Sequence, residues 1–360
     1  TKADNYKITE SKGKLEVTAV TDKVTVTITG DTASVTYDGK PHSVEGYTVT
    51  SISNPLYTTD DFTFNGDKKA EGTNAGEYKM GLTESQFTNT SNNFTNVTFV
   101  VTDGSLTINK REVTLTSASD SKEYDGTALT NGEVTVSGDG FANGEGATYN
   151  VTGSQTDVGS SDNEFTYVLN SNTKADNYKI TESKGKLEVT AVTDKVTVTV
   201  TEHSDTVKYD GTEKTVTGYD VDISNPLYTE KDFTFSGNAE VKGTDAGTYN
   251  MKLKPEDFTN NNTNFAEVKF LIVDGKLEIT PRSVTLTSAS DSKVYDGTAL
   301  TKPEVTVGGE GFADGEGATY KVTGSQTDVG SSDNEFTYTL NDGTKAKNYN
   351  IELALGKLEV

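Results

Sequence analysis

The sequence predicts an all-β protein assembled from tandem sandwich modules, and three observations carry that expectation. The tripeptide Tyr-Asp-Gly recurs at Tyr37-Asp38-Gly39, Tyr124-Asp125-Gly126, Tyr209-Asp210-Gly211 and Tyr295-Asp296-Gly297, spaced 87, 85 and 86 residues apart. Segments such as Val24-Thr25-Val26-Thr27-Ile28 and Val113-Thr114-Leu115-Thr116 alternate apolar and polar residues, the period-2 pattern of a half-buried strand. Glycine, asparagine and aspartate cluster between such segments about every ten residues, which gives seven or so short strands per repeat and the size of an immunoglobulin-like antiparallel β-sandwich. A β-grasp module with a short helix is the alternative. Only Lys254-Pro255-Glu256-Asp257-Phe258 reads as helical, for one turn at most.

The repeats set the boundaries. The first 27 residues return unchanged at 173–199, TSASDSKEYDGTAL at Thr116 returns as TSASDSKVYDGTAL at Thr287, and ISNPLYT occurs at Ile52 and Ile223. A Gly-[Lys/Ser]-Leu-[Glu/Thr]-[Val/Ile] marker at Gly13, Gly104, Gly185, Gly275 and Gly356 closes each module, and Thr-[Asn/Asp]-[Ala/Val]-Gly at Thr73, Thr156, Thr244 and Thr327 falls once in each. Cutting after the closing marker gives 1–17 as the last strands of an incomplete module. A long module follows at 18–108 and a short one at 109–189, then a second long module at 190–279 and a second short one at 280–360. Junctions are short and lack a Gly/Ser-rich linker, so the expectation is end-to-end joining with restricted bending. Strands of about 7–10 residues at roughly 3.3 Å per residue imply modules of ~30–40 Å and an elongated rod of order 150 Å.

Composition narrows the function. Only 32% of residues are hydrophobic, yet there are 17 tyrosines and 14 phenylalanines; disordered chains lack aromatic residues, so thin-cored small domains fit better. The formal charge is 32 − 55 = −23, which argues against nucleic acid or an anionic lipid surface as a partner. There is no cysteine and hence no disulfide or thiolate chemistry. No apolar run reaches the roughly 18–20 residues of a membrane span, so direct membrane insertion is not expected, and residue 1 reads as the middle of a longer chain.

Tyr-Asp-Gly fits the end of a strand and the start of a turn. Aspartate can accept a bond from the backbone two residues on, and glycine supplies positive φ. Tyrosine suits a last inward-facing position. No recurrent nucleophile or base stands beside the tripeptide, so an enzyme is not expected. His42 and His203 occupy different places in the two long modules, opposite Lys214 and Asp31 respectively. The glycine-rich runs Gly138–Gly146 and Gly308–Gly317 lack the Lys-Ser/Thr of a phosphate loop.

Lys-x-Tyr-Asp-Gly-Thr, Gly-Phe-Ala-[Asn/Asp]-Gly-Glu-Gly at Gly140 and Gly311, Val-Thr-Gly-Ser-Gln-Thr-Asp-Val-Gly at Val151 and Val322, Asn-Tyr at Asn177 and Asn348, and the closing Gly-Lys-Leu form a set. That set resembles the YDG/MBG-type tandem repeats of Gram-positive bacterial surface proteins. The resemblance implies an extracellular, wall-attached protein whose tandem modules form a stalk or extend an adhesive region. Its motifs are mainly turn and core residues.

Binding candidates are few. Carboxylates at Asp139, Glu145, Asp157 and Asp162, with counterparts Glu310, Glu316, Asp328 and Asp333, are the one place for calcium, which needs six to eight oxygens; no cofactor is otherwise expected. Lys122 and Lys293 are the recurrent lysines for an isopeptide crosslink of the kind such stalks carry. The polar-aromatic loops at Thr88–Thr98 and Asn260–Phe265 offer Asn92, Asn93, Phe94, Asn96, Asn262, Asn264 and Phe265 to a host glycan or extracellular matrix protein. The leading expectation is a semi-rigid stalk whose partners are its own neighbouring modules; the alternative is a multivalent adhesin.

Overall fold

A computed structural model describes residues 1–360. The chain forms two compact units, Thr1–Lys122 with Ala128–Val189, and Glu123–Thr127 with Thr190–Val360. All regular structure is strand or single 3-10 turn.

In the first unit the long module has ten strands: β1 (Val24–Gly30), β2 (Thr32–Thr36), β3 (His42–Glu45), β4 (Tyr47–Ile52), β5 (Phe62–Phe64), β6 (Lys69–Gly72), β7 (Gly76–Lys79), β8 (Phe87–Asn89), β9 (Val97–Thr102) and β10 (Ser105–Asn109). They pair as β4-β1-β9, β2-β10-β7, β3-β6 and β5-β8. The short module has eight: β11 (Arg111–Ser117), β12 (Asp120–Glu123), β13 (Val134–Gly138), β14 (Ala147–Val151), β15 (Gly159–Asp162), β16 (Phe165–Leu169), β17 (Tyr178–Ser183) and β18 (Lys186–Thr190). Their order is β13-β11-β17, β12-β18-β15 and β14-β16. The second unit repeats both patterns, so the modules are all-β sandwich repeats built from small three- and two-stranded sheets.

The pairing corrects one expectation, since the sheets are not purely antiparallel. β1 runs parallel to β9 and β2 parallel to β10, as β11 does to β17. A chain that enters a module at one end and leaves at the other must point its first and last strands the same way. Tandem connection therefore dictates the parallel pair. The closing-marker glycine sits in the turn before the module's last strand, pressed against the turn that follows its first strand. A Cβ on Gly104 would lie 2.6 Å from Asp31 O, on Gly185 2.3 Å from Ala118 O, on Gly275 2.3 Å from His203 O and on Gly356 2.5 Å from Ala289 O. No side chain fits there.

Alternation builds the core as the sequence indicates. Val24, Val26 and Ile28 are fully buried while the intervening threonines are half-buried. They pack with Tyr57, Phe62, Phe87, Phe94 and Phe99. The single turn at Pro255–Asp257 forms as expected, but 3-10 turns at Thr59–Asp61, Glu84–Gln86, Ala175–Asn177, Glu230–Asp232 and Ala346–Asn348 were not legible. Residues 1–17 hold one 3-10 turn, Ala3–Asn5, and are otherwise exposed and without strand.

Burial also sets a tyrosine titration. The Tyr57 ring is 2% exposed, with its hydroxyl 3.0 Å from Asp61 O and from Asn89 Oδ1. Burial, then the nearby Asp61 charge, pushes its phenol up to about 12, and the same causes act on Tyr228 through Asp232. A raised phenol keeps its proton in the folded state, so the stability it contributes is complete below the unfolded value near 10 and is lost as pH rises toward 12. Absorbance titration at 295 nm should show a late phase near pH 12, and Tyr57→Phe should shrink it. A late phase of unchanged amplitude in the variant would contradict the assignment.

Candidate functional site: the joint between long and short modules

The motifs that mark the family meet where a long module joins a short one. β10 ends at Asn109 and β11 begins at Arg111, so one residue links them; in the second unit Pro281 alone separates Lys276–Thr280 from Arg282–Ser288. Tyr37 follows β2, and its backbone N–H donates to Asn109 O at 2.9 Å, which fixes the turn against the last strand of the module. Its ring is 4% exposed and projects into the short module, where it meets Ala142, Phe165 and Tyr178.

A carboxylate closes the joint. Gly140 and Gly144 adopt positive φ, and the Glu145 backbone N–H donates to Ala142 O at 2.9 Å, a tight loop that aims Glu145 at the two rings. Tyr37 donates its hydroxyl to Glu145 Oε1 at 2.5 Å and Tyr178 donates to Oε2 at 2.7 Å. The Tyr178 oxygen also accepts from the Ala142 N–H at 3.0 Å, and the two rings sit edge to face at 5.6 Å. Burial, followed by the Glu145 hydrogen bond and charge, raises the Tyr37 phenol; burial is also the main cause for Tyr178.

Two further side chains tie the modules. Arg111 donates from Nε to Gly140 O at 2.7 Å, from Nη2 to Asp139 O at 2.6 Å and from Nη1 to Tyr37 O at 3.3 Å. Asn177 accepts from the Ala75 N–H at 2.8 Å and donates to Asn74 Oδ1 at 3.2 Å. The Thr-Asn-Ala-Gly marker of the long module and the Asn-Tyr of the short one are thus two halves of one contact.

The second unit repeats the geometry. Tyr209 donates to Glu316 Oε1 and Tyr349 to Glu316 Oε2, Ala313 N–H to the Tyr349 oxygen, Ala246 N–H to Asn348 Oδ1, and Arg282 to Gly311 O and Glu310 O. It adds ion pairs. Asp245 lies 2.9 Å from Lys345 and 3.0 Å from Lys347, and these hydrogen-bonded ammonium groups with Asn348 hold its carboxyl well below the usual range.

The turn chemistry of Tyr-Asp-Gly holds in all four copies. Gly39, Gly126, Gly211 and Gly297 all have φ near +80°. Asp38, Asp125, Asp210 and Asp296 each accept through Oδ1 from the backbone N–H two residues on. The tyrosines differ. Tyr37 and Tyr209 cross into the neighbouring module, Tyr124 is half-buried and meets the Phe265 ring at 5.8 Å, and Tyr295 is 55% exposed. The inward-facing expectation therefore fails for Tyr295. Sequence inspection missed Glu145, Glu316, Arg111 and Arg282 as joint residues; their return at the same place in both short modules was the available signal.

The candidate binding groups are dispersed. Phe94 and Phe265 are 5% and 4% exposed, edge-on to Tyr57 and Tyr228. They are core residues, not platforms for a sugar ring, because Val20 and Val192 pair beside them and draw the loop inward. Asn264 is buried as well. Asn262 donates to Asp232 at 2.8 Å, Asn96 to Thr21 O at 3.4 Å, and Asn92 and Asn93 are exposed.

The proposed calcium carboxylates do not converge. Asp162 pairs with Lys186 at 2.6 Å, Asp139 accepts from the Glu112 N–H, Glu145 is committed to two tyrosines, and the Asp157 carbonyl accepts from Gln155. Among the counterparts, Glu310 pairs with Lys208, Glu316 repeats the tyrosine bridge, Asp333 pairs with Lys357 and the Asp328 carbonyl accepts from Gln326. No group of three or more metal-binding side chains forms. Lys293 bonds Asp296 and Thr298 of its own turn, and no lysine is buried, so the geometry of an isopeptide crosslink is absent. His42 lies 2.8 Å from Asp38, where Lys214 meets Asp210 in the other long module.

Fold and joint together define a tandem β-sandwich repeat protein. Residues 23–110 and 195–281 match the family model of the MBG domain, and residues 280–355 match that of the YDG domain. The chain thus contains two MBG domains, which coincide with the long modules, and one YDG domain, which coincides with the second short module. No curated protein matches. Among solved structures, the crystal structure of the N-terminal eight immunoglobulin domains of Down Syndrome Cell Adhesion Molecule, isoform 1.30.30, aligns at 12% identity over 90% of this chain, with a TM-score of 0.15. The chain spans about half, 51%, of that structure's length.

Proposed function

We propose that this chain is the repeat region of a bacterial cell-surface protein and acts as a semi-rigid stalk that projects another domain from the cell wall. The observation that supports it most is the Tyr-Glu-Tyr joint. A flexible tether needs no buried contact between its modules, whereas here a bridged carboxylate, an arginine and an asparagine restrict each long–short pair. The extracellular, wall-attached location follows from the same reading, with attachment through regions outside these residues. In the multivalent adhesin alternative, Asn92 and Asn93 remain available to a host glycan or matrix protein, but ring stacking by Phe94 and Phe265 does not.

Since the chain has no cysteine, paired spin labels can be placed cleanly at Glu84 and Val168, both exposed. Pulsed dipolar spectroscopy on the whole chain should give one narrow distance distribution. A broad distribution, as for freely jointed modules, would sink the stalk reading.

A further inference from the structure

Each module takes its first and last strands into the middle of its sheets. In the first long module the entering strand β1 lies between β4 and β9, and the leaving strand β10 between β2 and β7. The first short module does the same, with β11 between β13 and β17 and β18 between β12 and β15. In the second unit Val196–Glu202, Lys276–Thr280, Arg282–Ser288 and Lys357–Glu359 are again middle strands. An edge strand is bonded on one side only. Here both ends of every module are held on two sides.

The direction of pairing decides how those bonds meet a pull. β1 is parallel to β9 over six residue pairs, and β2, one residue further on, is parallel to β10 over five. The Val20–Phe94 bridge extends this ladder at one end, and the Tyr37 N–H on Asn109 O extends it at the other. Tension applied along the chain enters at the start of β1 and leaves at the end of β10. In parallel partners these are opposite ends of the ladder, so the strands are drawn past each other and the evenly spaced bonds are strained together. Pulled from one end, the same bonds would open one after another. The other modules keep the arrangement. β11 is parallel to β17 over six pairs, Val196–Glu202 to Val268–Val273 over six, Asp205–Lys208 to Lys276–Thr280 over four, and Arg282–Ser288 to Tyr349–Ala354 over six.

We infer that the parallel terminal ladder of each module is a mechanical clamp, which keeps the module folded while the chain is under tension. Forced unfolding is governed by the unfolding rate and not by equilibrium stability, so a thin-cored module can resist a pull through the direction of its bonds. The clamp depends on pairing within one module and is independent of stiffness at the joints; freely bending modules would carry it equally. In the first long module the β3–β6 and β5–β8 pairs lie off the loaded strands. Once the ladder gives, they offer no second barrier, and the module opens in one step.

Optical tweezers on the whole chain test this through two pulling geometries. The chain has no cysteine, so handles attach only at introduced thiols. One variant carries Lys23→Cys with Lys110→Cys, which flank the long module and load the ladder along its length. The other carries Lys23→Cys with Asn92→Cys, which lie toward the same end of β1 and β9 and open the ladder from that end. All three positions are exposed, and both attachments act on the same fold. At one pulling rate the Lys23–Lys110 pair should hold to a force at least about 2-fold above the Lys23–Asn92 pair, because bonds strained together resist more than bonds opened singly. Its release should come in one step of about 300 Å of chain, at roughly 3.5 Å per residue and before the folded length is subtracted. Equal forces in the two geometries, or a higher force for the Lys23–Asn92 pair, would overturn the proposal. So would release of the Lys23–Lys110 pair in several steps whose first comes at the lower force, since the terminal ladder would then not be the barrier.

Discussion

Asn163→Asp, a change of one side-chain nitrogen to oxygen, is expected to cost on the order of 3–5 kcal/mol at neutral pH. Asn163 has no exposed surface. Its Nδ2 donates to Ala118 O and to Asn131 O, both at 2.9 Å, while Oδ1 has no hydrogen-bond partner and faces Gly153, where a Cβ would lie 2.2 Å away. The main chain is equally engaged, since the N–H donates to Gly185 O and the carbonyl accepts from Ser117 Oγ. One residue therefore ties the end of β11, the loop at Asn131 and the entry to β18. A carboxylate would set a buried charge against two carbonyl oxygens with no donor in reach.

Volume hardly changes, so the loss would be electrostatic. An aspartate so buried has a folded pKa above its unfolded value near 3.9, and the folded state then binds the extra proton. By linkage the penalty is full at pH 7 and fades as pH falls through the folded value toward 4. Urea titration of the whole chain at pH 7 and at pH 4.5 should show the variant's deficit shrinking at the lower pH. A deficit under about 1 kcal/mol at pH 7 would show that the Asn163 bonds do not hold the module together. Asn334→Asp should behave alike, since Asn334 donates to Ala289 O and Lys302 O and its Oδ1 is also without a partner.

What could be read in the sequence was local chemistry. The glycine φ and the aspartate bond of each Tyr-Asp-Gly turn depend on three or four adjacent residues, and all four copies follow the pattern. Strand alternation is equally local, and Val24–Ile28 shows it. Partners are another matter. Period 2 assigns a residue to a face but not to a neighbour, and Tyr37 and Glu145 stand 108 residues apart in different modules.

The repeat itself gives the sharpest case. Residues 1–17 and 173–189 are the same seventeen residues, yet the second copy forms β17 and most of β18 while the first forms no strand. Strand propensity is a fit to a pleated, half-buried surface, and without β11, β12 and β15 beside it the identical segment stays open. Phe94 was misread for a related reason. Its asparagine neighbours describe a polar loop, but burial of the ring is decided by Tyr57 and Val20, distant in sequence. The calcium cluster failed similarly: closeness along the chain set Glu145 among aspartates, while the fold directs it to two phenols.

Glu145→Ala is expected to destabilise the first unit by about 2–4 kcal/mol, because two hydroxyls that donate to an ionised acceptor lose it while staying buried. Tyr37 and Tyr178 are 4% and 3% exposed, so water cannot replace the carboxylate freely. Tyr37→Phe removes one donor and keeps the ring, and Glu145 is only half-buried; it should cost about 1 kcal/mol. Their combination tells more than either alone. If the bond is the joint, the double variant should fall short of the sum by about 1–2 kcal/mol, as for residues in one network. Glu145→Gln, which keeps shape and one acceptor, should lie between wild type and Glu145→Ala. In the spin-labelled chain, Glu145→Ala should also broaden the long–short distance distribution, at a temperature where circular dichroism shows both modules folded. Additive costs with an unchanged distribution would mean that backbone continuity through Lys110 and packing of Ala142 and Phe165 hold the angle, and the carboxylate merely satisfies two phenols. Coupled costs with broadening would make one glutamate per joint the element that sets stiffness, with Glu316 carrying the same role beside the Asp245 ion pairs.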